Sequence, residues 1–330
     1  MTATPLPLST VVELPPETSG ALTFHLPLEV FALQAAGAAP DVIDARISAR
    51  LADAYHDGLV DPPLYRWAVD HYRPFATRLL DAAPAARADA IRSILPLGDG
   101  LVGAAFHGMI RLGYGAMRRD AEEIARGLAY LRTRRQVLHG PGAQAGTDQL
   151  PSVAMPSPAE LEGSTVFDQL SLAAGAGGHD ELTDPARPLF PAAALAARAA
   201  ELIRHDAGSF VSVHSMTGLH GLAEFHTLVI GSPPGADLDG TVLAPWWRAY
   251  SIGLQACTIV VSATTVVGRT ECAPVFTDTE ALVAAAVASG DTHSVKLVVA
   301  MRRLAEFGVL DEPTMWELGA IKLGVDECRL

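Results

Sequence analysis

The chain reads as an all-α protein: one multi-helix domain with a histidine-rich site buried between its helices. Three observations carry that expectation. Apolar residues recur at helical spacing along most of the 330 residues, and alternating strand patterns are sparse. The composition is 49% hydrophobic and only 18% charged, which suits a large, heavily buried core. Histidines stand inside apolar runs, where an unpartnered imidazole is costly.

The elements follow in order. Residues 1–20, with Pro5, Pro7, Pro15 and Pro16, form an extended lead-in without the basic start of a signal peptide. A helix over 21–37 carries His25 near its start, and Val42, Ile43, Ile47 and Leu51 mark a second over 40–57. Pro62 and Pro63 introduce a helix over 64–81, followed by others over 85–94 and 101–117. The next, over 121–137, places acidic residues early and arginines late, as the helix dipole favours. Gly, Pro, Ser and Gln mark loops at 140–163 and 175–188. Helices then run over 191–207, 209–230, 242–267, 278–289, 291–307 and 312–323, so 21–330 reads as one domain.

Several function classes are excluded. The formal net charge of −13 and the alternation of Arg118, Arg119, Arg126 and Arg132 with Asp120, Glu122 and Glu123 argue against a nucleic-acid partner. The stretch Ile252–Val267 is too short and too polar for a membrane span. Cys257, Cys272 and Cys328 make neither a CxxC pair nor an even framework, which fits a reducing cytoplasm. Gly98-Asp-Gly100-Leu-Val-Gly103 matches a dinucleotide fingerprint in letters, but Pro96 and a helical flank stand where a buried strand is needed, so a helix-entry turn is expected.

The histidines remain. His139 and His179 fall in polar loops, His56 and His205 lie beside acidic residues at helix ends, and His71 sits among charges. His107 lies in Phe106-His-Gly-Met-Ile-Arg111-Leu-Gly-Tyr114-Gly115, and His293 in Asp291-Thr-His-Ser-Val-Lys296. A metal is the simplest partner for several buried imidazoles. His214, His220 and His226 recur every six residues, about 240° apart on a helix, so they cannot share one site unless Gly218 and Gly221 interrupt it. His214 has the most apolar flank; His220 is the alternative. Lys296 stands one turn after His293, open to three readings: solvated, deprotonated by burial, or carbamylated to an anionic ligand.

These segments resemble those of the questin oxidase-like family. The run at 106–115 is similar to its central motif, Phe24-His25 through Asp41 to its opening segment, Val213–Gly218 to its third histidine segment, and Asp291–Val298 to its C-terminal His/Lys helix. Thr23 and Leu26 depart from the opening segment, where the family tends to carry further His or Asn. The resemblance implies an oxidoreductase of aromatic polyketide metabolism, acting on an anthraquinone-type substrate with O2. It implies a non-haem Fe(II) held by His25, His107, His214 and His293, with Lys296 a carboxylated ligand in some members. Arg111 is then a candidate to pair a substrate phenolate or Asp291, and Tyr114, Trp67, Tyr72, Trp246 and Trp247 are candidate aromatic walls, although core packing is the default for each. Glu29 and Asp291 are the carboxylates nearest in sequence to orient the imidazoles. Competing readings are a Baeyer–Villiger monooxygenase assisted by NADPH or flavin, with NADPH a candidate reductant, and a non-catalytic helical polyketide-binding protein. The sequence leaves the oligomeric state open.

Overall fold

A computed structural model describes residues 11, 13–18, 23–136, 138, 168–170, 173, 188–263 and 275–327, without the side chains of 53–57, 263 and 325–327. The expected loop at 140–163 and most of that at 175–188 lie outside these residues, as do His139, His179, Cys272 and Cys328. The described chain is predominantly helical: α1 (Leu26–Ala35), α2 (Pro40–Asp57), α3 (Tyr65–Asp81), α4 (Pro84–Ile91), a 3-10 turn (Leu95–Gly100), α5 (His107–Arg118), α6 (Ala121–Thr133), α7 (Ala192–His205), α8 (Phe210–Ile230), α9 (Ala244–Ala263), α10 (Thr279–Ala288), α11 (Thr292–Glu306) and α12 (Glu312–Glu327). Among the described residues, one small sheet pairs β1 (Glu17–Thr18) antiparallel to β2 (Leu59–Val60), with Glu17 opposite Val60. No described helix is long and apolar enough to cross a membrane.

Local chemistry explains the boundaries. Asp120, Asp278 and Asp291 cap α6, α10 and α11, each accepting a backbone N–H of the first turn. Expectation and structure part at α5. It begins at His107 rather than 101, because Ala104, Ala105 and Phe106 all have positive φ, at 51°, 50° and 65°. For residues with a Cβ that left-handed geometry costs about 1–2 kcal/mol each. Three in succession occur only where packing enforces them.

α8 forms the axis of the molecule. It packs on α5, α11, α7, α9 and α4, and one continuous core reaches from Leu28 to Leu323. Gly218 and Gly221 do not interrupt it; they let neighbours approach. A Cβ on Gly113 of α5 would lie 2.2 Å from the Gly221 Cα, and one on Gly218 would lie 2.9 Å from the Phe106 ring. Gly98 and Gly103 likewise serve packing. A Cβ on Gly98 would strike the Trp246 ring and one on Gly103 the Arg134 carbonyl, with no strand before them.

His226 shows how the core treats an imidazole with no other task. It is buried, and its Nδ1 accepts the Trp247 Nε1–H at 3.1 Å. Burial pushes its pKa down to about 4. Protons therefore bind the unfolded chain first. The contribution is full above the ordinary histidine value of about 6.5 and is lost as the pH falls from there through about 4, about 2–3 kcal/mol of it by pH 4.5. His226→Gln keeps an acceptor for Trp247 but cannot titrate. Denaturant melts at pH 7 and pH 4.5 should show the wild type losing that much stability relative to the variant; parallel pH profiles would contradict the assignment.

Candidate metal centre

Helix starts build the site. His25 immediately precedes α1, His107 is the first residue of α5, His214 is the fifth of α8, and His293 is the second of α11. The structure brings all four together. Ring centroids lie 4.8 Å apart for His25–His107, 4.5 Å for His107–His214, 4.9 Å for His25–His293 and 5.2 Å for His214–His293. Ligand nitrogens of His25, His214 and His293 all lie within 4.8 Å of one another, so this group could hold a metal ion. The His107 Nε2 stands 2.8 Å from that of His25 and 3.0 Å from that of His214.

The partners of the other ring nitrogens fix what those short distances mean. His107 Nδ1–H donates to the Ala104 carbonyl, inside the left-handed turn, and His214 Nδ1–H donates to the Phe210 carbonyl at 2.7 Å. Both neutral rings therefore present an Nε2 lone pair, and those lone pairs face each other. A shared cation would resolve that confrontation. Burial lowers the pKa of His25, His107 and His214 well below the usual range, and the nearby Lys296 adds to this, so the neutral, ligating form prevails. His293 is lowered by burial too, and its Nε2 has no hydrogen-bond partner among the described residues.

Lys296 is not solvated. It is fully buried, and its Nζ has no hydrogen-bond partner among the described residues. Burial brings its pKa down to about 8, against the opposing pull of Glu29 and Asp291. The solvated reading therefore falls; a value near 8 leaves most of the amine protonated at pH 7 and a minor free-base fraction, the form from which the carbamate reading also starts.

Other candidate residues stand elsewhere. Arg111 does not meet Asp291: its Nε and Nη2 donate to the Glu123 carboxylate at 2.8 and 3.1 Å in a buried two-point ion pair that ties α5 to α6. Tyr114 packs on Phe31 and His220, and burial, with Glu224, pushes its phenol up. His220 lies with Glu224, Nε2 to Oε1 3.4 Å, and does not join the four histidines, as expected six residues from His214 on an unbroken helix. Trp67 is exposed and stacks on His71, Tyr72 edges the same ring, Trp246 packs on Phe225, and Trp247 serves His226. The aromatic ring that packs on the imidazoles is Phe210, one turn before His214. Its ring stacks on His214 at 3.8 Å and lies within 6.4 Å of the other three imidazoles. A phenylalanine opening a helix looks like any core residue, so only its spacing from His214 hinted at the role.

Glu29 does not orient an imidazole. Its buried carboxylate accepts from Arg46 at 2.7 Å, Thr292 at 2.6 Å and Arg50 at 3.3 Å, joining α1 to α2 and α11. Asp291 lies 3.8 Å from His293 Nδ1, too long for a hydrogen bond, and takes Lys322 at 3.2 Å. Burial opposes its ionisation, yet Lys322 and the Ser294 N–H, which donates to it at 2.6 Å, hold its pKa well below the usual carboxylate range. A cavity of about 410 Å³ opens onto the site; Thr18, Thr23, Phe24, Arg50 and Thr292 share its wall with His25 and His293. Comparison with protein-family models, curated proteins and solved structures finds no match to this chain.

Proposed function

We propose that the chain is a non-haem iron oxygenase that cleaves a ring of an anthraquinone-type aromatic polyketide. The observation that carries this reading is the convergence of four neutral imidazoles with one unpaired, buried lysine amine. The resemblance of the four histidine segments to the questin oxidase-like family selects the chemistry, since imidazole alone suits iron, zinc, copper and nickel.

His25, His107, His214 and His293 would hold the ion. Bound there, Fe(II) supplies a place for dioxygen to be activated beside an electron-rich ring. The protein's part is positioning and exclusion. Phe210 covers the imidazoles, and the Ala104 and Phe210 carbonyls lock two of them in the ligating tautomer. Lys296, as free base, can add through its Nζ lone pair to carbon dioxide and release one N–H proton to solvent, giving an anionic carbamate whose charge would suit a cation held by neutral ligands. The cavity beside His25 and His293 is within the size range of small-molecule sites.

Untagged protein should contain about one iron per chain and consume oxygen with a reduced anthraquinone-type substrate. Lys296→Ala should lose metal and turnover, with partial rescue by acetate; Lys296→Arg should not be rescued, because the guanidinium stays cationic. Full activity in either variant would remove Lys296 from the site. Substrate binding without metal or oxygen uptake would make the protein a binding module. Turnover that needs NADPH or flavin but no iron would make it a Baeyer–Villiger monooxygenase.

A further inference from the structure

Around the cavity that reaches His25 and His293, three cations, Arg46, Arg50 and Lys322, are paired with two carboxylates, Glu29 and Asp291. Two guanidinium groups, Arg46 and Arg50, share the single carboxylate of Glu29. Asp291, the other acid on the wall, is already paired with Lys322. The two arginines differ in what remains free. Arg46 donates to Glu29 and to the Gly290 carbonyl, and it lines the neighbouring groove. Arg50 lines the cavity itself, its side chain 38% exposed. Its Nε donates to Glu29 at 3.3 Å and its Nη2 to Thr292 Oγ1 at 3.0 Å, while Nη1 has no partner among the described residues. Those two bonds hold the guanidinium in place. The dipoles of α1, α5 and α11 add to the field, because these helices begin within one residue of His25, His107 and His293.

We propose that Arg50 is the substrate anchor of this cavity and that it selects a phenolate. With two of its five N–H groups engaged, the guanidinium keeps both N–H groups of Nη1 free to donate to an ionised oxygen. An aromatic ring carrying that oxygen then lies in the cavity with its far edge towards His25 and His293. This assigns to Arg50 on α2 the task that Arg111, locked to Glu123, does not perform. The inference deepens the oxygenase reading and rests on it for the aromatic body of the substrate; the charge preference stands on the cavity alone.

The probes are 4-nitrophenolate and neutral 4-nitroanisole, titrated against the full chain after chelator treatment, at a pH where the phenol is ionised. The phenolate should bind at least about tenfold more tightly than the anisole, which is about 1.4 kcal/mol. Arg50→Gln should reduce the preference to about threefold or less, whereas Arg50→Lys should keep most of it. In the unaltered chain, 4-nitrophenolate and not 4-nitroanisole should slow phenylglyoxal modification of Arg50, followed by peptide mass mapping; this readout holds even where the Gln variant fails to fold. Equal affinities in the unaltered chain, an unchanged preference in Arg50→Gln, or labelling indifferent to the phenolate would each overturn the anchor. Because the titration is metal-free, its failure beside iron-dependent oxygen uptake spares the oxygenase reading. Success without iron in the untreated protein keeps the anion site and removes the oxygenase.

Discussion

His107→Ala should strip the protein of its metal while leaving the helices folded. Of the four imidazoles, His107 has Nε2 within 3.0 Å of two others, so its removal opens two edges of the coordination shell at once. Loss of a mere supporting partner of a ligand costs 10–100-fold in metal affinity, so loss of this ligand should exceed about 100-fold. The fold should respond in the opposite sense to an ordinary core deletion. Truncating a buried side chain usually costs about 2–5 kcal/mol. Without metal, however, the wild-type ring brings its Nε2 lone pair against that of His214, and buried polar groups left unmet cost about 1–3 kcal/mol each. The two effects offset, and the metal-free variant should melt within about 2 kcal/mol of metal-free wild type. Elemental analysis of untagged protein, with thermal melts in chelator, reads both numbers. Wild-type iron occupancy in the variant would sink the four-histidine site. Collapse of the metal-free fold would instead make His107 a packing residue of the left-handed turn at Ala104–Phe106.

The parts of this molecule legible in the sequence are those set by local periodicity and by the cost of burying an imidazole. Helix spacing carries α2 to α12 closely apart from α5, with α1 and α5 starting five and six residues later than expected, and the cost of burying an imidazole together with the resemblance of four segments points to His25, His107, His214 and His293, which converge. The helical period also separates His220 from His214 correctly, because α8 is unbroken. What escaped depends on partners distant in the chain. Arg111 finds Glu123 on the next helix, and nothing at i+3 or i+4 announces it. Arg50 looks like the solvated face of α2 until Glu29 and Thr292 hold it at a cavity wall. The turn before His107 is illegible for a different reason. Ala104, Ala105 and Phe106 have no preference for positive φ, so tertiary packing imposes that geometry against local propensity.

Gly221→Val should cost more stability than any single change at the metal centre. A Cβ on Gly221 would lie 2.5 Å from the Met109 carbonyl oxygen and 2.9 Å from its carbon; both are backbone atoms of α5, which no rotamer change can move aside. On the other side, Gly113 meets the Gly221 Cα with the same intolerance. Overpacking of a core typically costs 1–3 kcal/mol where side chains can shift, so a backbone-to-backbone clash should exceed about 3 kcal/mol. Gly235→Ala is the control: that glycine has open space around its Cβ position, and the change should stay within about 0.5 kcal/mol. The consequence reaches the site through geometry alone. His107 lies six residues before Gly113 on α5, and His214 seven before Gly221 on α8. Wedging the helices apart at the glycines must therefore lengthen the 3.0 Å approach between the two Nε2 atoms. Iron content should fall together with the denaturant midpoint in Gly221→Val, although no ligand has been touched. A variant that unfolds at the wild-type midpoint would show that α5 and α8 do not meet backbone to backbone, and with them would go the arrangement that brings His107 to His214.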